Sequence, residues 1–168
     1  MSGATATGSE SKYRDMETNR NIDIYIAANV DEYGPYKGRG AYAAILTWGP
    51  YRKTICCPVA RTSGYEALKY ATLAALAYLR GDRLEITVHT LDQAFALNYR
   101  NSIDNNDNVD IPGSDFNVGT LTGLLMERCA TMTFTWDDGM HGPDLALAAE
   151  MAHRCKRQRW YPEMKKAV

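Results

Sequence analysis

Ile22-Asp23-Ile24-Tyr25-Ile26 and Gly40-Ala41-Tyr42-Ala43-Ala44-Ile45-Leu46, separated by a glycine-rich stretch from Gly34 to Gly40, are the segments on which the fold turns. The first alternates apolar and polar side chains, the period-2 pattern of a strand with one buried face. Ala41 to Trp48 reads as a second extended segment. Pro50 and Tyr51 make a short turn, and Arg52 to Val59, with Thr54, Ile55, Cys56 and Cys57, has the composition of a third strand. Together they predict a three-stranded antiparallel meander.

Downstream the period changes. Tyr65, Leu68, Thr72, Ala75, Leu76 and Leu79 recur at helical spacing between Ser63 and Leu79, alanine supplies much of the remainder, and Gly81 is expected to stop the helix. Leu84, Ile86, Val88 and Thr90 then alternate with Glu85, Thr87 and His89 in a strand, and a helix starts near Asp92. Asn101 to Ser114, with Asp104, Asp107, Asp110, Pro112 and Gly113, reads as an exposed loop. Leu121, Leu124, Leu125 and Cys129 mark a further helix, and Met132 to Trp136 a last strand. Pro143 opens a final helix through Leu145, Ala148, Ala152 and Cys155.

A chain of 168 residues that is 45% hydrophobic builds one domain with a buried core. Residues 21–160 are expected to fold, behind a disordered leader at 1–20 and ahead of a basic tail at 161–168. No apolar run reaches membrane-spanning length and the first residues carry no hydrophobic signal core, so the expectation is an intracellular, cytoplasmic protein without a membrane segment. The net charge is -1, yet Arg154, Lys156, Arg157, Arg159, Lys165 and Lys166 face only Glu163 in the C-terminal segment, leaving 13 basic against 19 acidic residues elsewhere. An acidic body repels phosphate, so any nucleic-acid contact has to lean on that segment. Cys56, Cys57, Cys129 and Cys155 lack metal-ligand spacing and are read as buried free thiols, with Cys56 and Cys57 on opposite strand faces.

The element order and the local residues Ile24-Tyr25, Gly40 to Leu46, the glutamate Glu66 leading the alanine-rich helix, Thr90-Leu91-Asp92-Gln93 and Gly139 to Ala152 resemble the ribonuclease H family from about Ile22 to Arg157. The resemblance implies an α/β fold with a mixed five-stranded sheet, three antiparallel strands followed by parallel ones, flanked by helices. It also implies four carboxylates that hold two magnesium ions about 3.5–4 Å apart for hydrolysis of the RNA strand of an RNA/DNA hybrid. Position by position, these carboxylates fall on Ala27, Glu66, Leu91 and Ala149, so a single acid survives.

Loss of three anionic ligands points to a catalytically impaired module that binds nucleic acid or another protein and needs no metal or cofactor. The alternative is an active nuclease using magnesium or manganese, in which Glu66, Asp92 and Glu150 join Asp31 or Asp144 in a displaced site. Neighbouring residues do not inherit a site easily, because one step along a strand reverses the side chain and one step along a helix turns it by about 100°. Alanines introduced to trap substrate in an active nuclease would leave the same pattern. Structural duties are available to the remaining acids. Ser63-Gly64-Tyr65-Glu66 fits a capping box, Asp92 a helix cap, and Asp144 the positive end of the last helix.

For binding, Lys37 and Arg39 in the glycine-rich stretch could approach a phosphate backbone, and Tyr33 and Tyr36 could stack. Arg154, Arg157 and Trp160 join charge to an aromatic face at the C-terminal end. His141 reads as a loop histidine and His89 as a satisfied core histidine, neither with a second ligand at metal spacing. No pattern sets the oligomeric state.

Overall fold

The computed structural model describes residues 21–80, 83–104, 131–137 and 142–166. In chain order these form β1 (Asn21–Val30), β2 (Gly40–Trp48), β3 (Tyr51–Val59), α1 (Gly64–Tyr78), β4 (Glu85–Thr90), α2 (Gln93–Asp104), β5 (Thr131–Trp136) and α3 (Pro143–Lys166). The sheet order is β3-β2-β1-β4-β5. β1 pairs antiparallel with β2, and β2 with β3, whereas β1 with β4 and β4 with β5 are parallel. This is the mixed five-stranded sheet expected from the sequence.

β1 runs on to Val30, beyond the five residues whose alternation is visible, because Asn29 and Val30 pair with Ala41 and Gly40. That continuation depends on Gly40, where a Cβ would stand 2.1 Å from the Asn29 carbonyl oxygen. Residues 101–104, expected as loop, continue α2, and residues 161–166, expected as a tail, continue α3. Both segments are corrections at the backbone level: turn-forming composition is a weak prior once a helix already propagates into it. The rest of the acidic loop, the helix expected around Leu121 to Cys129, Gly81, His141 and the leader lie outside the described residues.

The two faces of the sheet differ. Ile22, Ile24 and Ile26 of β1, with Ala44, Leu46 and Trp48 of β2, pack against Leu68, Ala71, Ala75 and Leu76 of α1 and against Phe95 and Tyr99 of α2. Each such fully buried large side chain contributes about 1.5–3 kcal/mol of transfer free energy. On the opposite face Ala27 and Ile45 meet Ala148 of α3, with Tyr25, Ala149 and Met151 partly buried around them. Alanines on both sides of this second layer let the helix approach the sheet closely. α3 packs over β1, β2 and β3. The same face of β4 and β5 carries polar side chains instead, among them Thr87, His89, Thr133 and Thr135. No described helix is long and apolar enough to cross a membrane.

Candidate functional site

β1 and β4 lie side by side and parallel, and their carboxyl ends open toward the N-terminus of α1, the kind of location where open α/β sheets bind ligands. A cleft of about 250 Å³ sits there, lined by Ile26, Ala27, Ala28, Gly64, Leu68, Thr90, Leu91, Asp92 and Ala149. Ala27, Leu91 and Ala149, distant in sequence, therefore share one cleft. Ala27 is buried, Ala149 is half-buried and Leu91 is 41% exposed.

The surviving acids around the cleft have structural partners. The Ser63 hydroxyl oxygen accepts from the Glu66 N–H at 3.1 Å, the N-cap expected from the Ser-x-x-Glu spacing. The Glu66 carboxylate takes a bond from the Thr62 hydroxyl at 3.0 Å, so its partner is this side chain rather than the cap's backbone amide. Asp92 does reach the cleft, but its Oδ1 accepts from the Phe95 N–H at 2.9 Å and caps α2. Sequence reading missed Glu32, whose Oε1 accepts from the Gly64 N–H at 2.9 Å and latches the β1–β2 loop to the start of α1. No local pattern announces that contact, because it forms across 32 positions.

The acids considered for a displaced metal site are dispersed. Asp31 bonds the Lys156 ammonium at 2.6 Å, Asp144 pairs with Arg52, and Glu150 pairs with Arg154 at 2.7 Å on the outer side of α3. Among the described residues no group of three or more His, Cys, Asp or Glu side chains is arranged to hold a metal ion. The two-magnesium arrangement implied by the resemblance does not fit these residues. Hard cations need clustered anionic oxygens, and of the four positions the resemblance assigns, two carry methyl groups and a third an isobutyl group.

A second feature flanks the cleft. Lys156 bonds the Asn29 side chain at 3.0 Å as well as Asp31, His153 Nδ1 lies 3.2 Å from Asn29 Nδ2, and the Trp160 N–H donates to the Gly40 carbonyl at 2.9 Å. α3 is thus tied to the end of β1 and the start of β2. Trp160 is 8% exposed, with the Arg39 and Arg159 guanidinium groups 5.1 and 4.2 Å from its ring centroid. The stacking role expected for it is corrected: a ring buried beneath two cations serves as a structural anchor, not as an open platform for a base. Lys37 is exposed at the tip of the loop, and Arg39 is half-buried over the Tyr36 and Trp160 rings. Along α3, Glu150, His153, Arg154, Arg157 and Gln158 line an open groove of about 430 Å³.

His89 also differs from expectation. Its Nε2 lies 2.8 Å from Asp23 Oδ1, and its ring stacks on Tyr25 at 4.4 Å between centroids. It is satisfied, as expected, yet it stands on the open polar face of the sheet instead of in the core. Burial, assisted by Asp23, pushes the Tyr25 hydroxyl up from its ordinary range. The cysteines depart from expectation too, since Cys56 is exposed and Cys57 and Cys155 are half-buried.

No protein-family model and no curated protein matches the chain. Among solved structures it is similar to LC9-RNase H1, described as a type 1 RNase H with the type 2 active-site motif, at a TM-score of 0.60 and 11% identity over 84% of this chain and 74% of that one. LC11-RNase H1, isolated from compost by a metagenomic approach, matches at a TM-score of 0.57 and 17% identity over 83% and 97% of the two chains. A second structure of that protein holds an RNA/DNA hybrid and matches at a TM-score of 0.53 and 15% identity over 82% of this chain and 97% of that one. Prototype foamy virus protease-reverse transcriptase matches at 0.55 and 13% identity, with 83% of this chain covering 21% of that polypeptide. At such identities the likeness establishes the fold, and the fold is ribonuclease H-like.

Proposed function

We propose that this chain is a catalytically impaired ribonuclease H-like domain that binds nucleic acid. The observation that carries the reading is the meeting of Ala27, Leu91 and Ala149 in one cleft, where hydrocarbon replaces the anionic ligands that hydrolysis by metal-activated water requires. Lys37 and Arg39 on the loop and Arg154 and Arg157 on α3 supply the phosphate contacts in this reading. The latch between the loop and α3 supports it, because it joins the two basic segments into one side of the domain. An RNA/DNA hybrid is the first ligand to test, being the one bound by the similar LC11-RNase H1. A second reading, docking of a protein, draws support from Leu91 and Trp136, which are 41% and 48% exposed beside the cleft and joined by a 3.1 Å bond from the Trp136 N–H to the Leu91 carbonyl.

Incubation of the unmodified chain with a labelled hybrid and magnesium or manganese should give no product above a blank, while hybrid binding at low salt should be equal in magnesium and in chelator. The triple variant Ala27→Asp, Leu91→Asp, Ala149→Asp should acquire manganese binding that the parent lacks. Turnover by the parent would overturn the impaired reading. Absence of hybrid, duplex and single-strand binding at low salt would leave protein docking ahead.

A further inference from the structure

Two thiols that are remote in sequence stand on facing elements. Cys56 is the β-ladder partner of Ala43, and Ala43 is the partner of Ala27, so Cys56 projects on the sheet face that α3 covers. Cys155 continues the stripe of Ala148 and Ala152 that α3 turns toward the sheet. The registers of helix and strand also agree. Asp144 pairs with Arg52, which fixes the start of α3 over the β3 edge. From there the helix advances about 16 Å to Cys155 and the strand about 13 Å to Cys56. The ladder register and the helix stripe therefore bring the two thiols to the same part of the β3–α3 seam, and the Cys56 thiol acts on that of Cys155. Cys57 faces the other way, beside Tyr42, and its thiol bonds the Pro58 carbonyl.

We propose that Cys56 and Cys155 form a reversible disulfide that staples α3 to the edge strand β3, with a low-molecular-weight disulfide such as oxidised glutathione as the oxidant. Exposed Cys56 gives its proton to water and its thiolate attacks one sulfur of the oxidant, which leaves as one reduced thiol and a mixed disulfide on Cys56. Cys155 then loses its proton and attacks the Cys56 sulfur, expelling the second thiol. Two protein thiols are oxidised and one small disulfide is reduced to two thiols, so atoms and electrons balance. Burial and the neighbouring Cys56 push the Cys155 thiol up to about 11, which makes it the slow, resolving partner and makes closure faster as pH rises above neutrality. The staple would fasten the helix that carries Ala149 and the Arg154 and Arg157 groove. This inference is independent of whether the groove binds nucleic acid.

The full chain equilibrated with oxidised glutathione should lose the mass of two hydrogens, and peptide mapping should join Cys56 to Cys155. Closing a loop of about 100 residues should raise Tm by about 5–15 °C relative to the reduced chain. Cys57→Ser should cross-link normally, Cys56→Ser should not, and Cys155→Ser should instead trap a glutathione adduct on Cys56. Retention of all free thiols by the parent at every glutathione ratio would overturn the proposal. So would a cross-link that maps to any other pair or that survives in Cys56→Ser.

Discussion

Lys69 is the side chain whose surroundings suit its chemistry least. It is fully buried on α1, and its ammonium has no hydrogen-bond partner among the described residues. Burial pulls its pKa down from 10.5, with Glu66 acting weakly in the opposite direction. Because the folded pKa lies below the unfolded one, the unfolded chain binds more protons in the alkaline window beneath 10.5, and stability rises with pH there. Lys69→Met should remove that rise in pH-dependent thermal melts. At neutral pH it should stabilise the fold by about 1 kcal/mol, or about 2–4 °C in Tm. At this scale the sequence was informative about identity and poor about environment. The apolar side chains at Ala27, Leu91 and Ala149 could be read directly, whereas the burial of Lys69 and the exposure of Cys56 depend on what packs around them.

The elements are held by contacts at their ends. α3 is anchored by Trp160, whose ring is buried and whose N–H bonds the Gly40 carbonyl, and α2 starts on the Asp92 cap. Trp160→Ala should cost about 3 kcal/mol in urea unfolding, through lost burial and an orphaned carbonyl. Asp92→Ala should cost about 1 kcal/mol, the usual value of an N-cap, and added to the triple aspartate variant it should leave that variant's manganese binding unaltered. A larger effect of Asp92→Ala on metal affinity than on stability would show that this carboxylate is a ligand and not a cap. α1 was legible in detail because Ser63 and the 3.6-residue apolar spacing act locally. The extensions of α2 to Asp104 and of α3 to Lys166 were not, since their compositions favour turn and tail while the backbone follows the helix already under way.

Across the whole molecule the charge is unevenly distributed, with an acidic body and a helix that carries Arg154, Lys156, Arg157 and Arg159 along its C-terminal half. Phosphate binding by such a surface is driven by counterion release, so hybrid affinity measured by anisotropy should fall steeply between about 50 and 200 mM salt. Replacing Arg154 and Arg157 together with alanine should reduce the logarithmic salt slope by about two and weaken all sequences alike. A slope indifferent to both substitutions would move the interface off α3. Lys156 is a poor choice for that test, since its largely buried ammonium ties α3 to Asn29 and Asp31 and its loss would disturb the fold as well.

By itself the sequence determined the character of the described segments, the two-faced pattern of β1 and the N-cap of α1, because side-chain periodicity and residue identity are local properties. Only the tertiary structure decided that Ala27, Leu91 and Ala149 share a cleft, that Asp31 and Asp144 are taken by Lys156 and Arg52, that Trp160 is buried, and that Cys56 stands on the sheet face covered by the helix of Cys155. These contacts join residues far apart along the chain, and their partners are set by how α3 lies across the sheet. That placement follows from alanine-lined close packing and not from any spacing within a single segment.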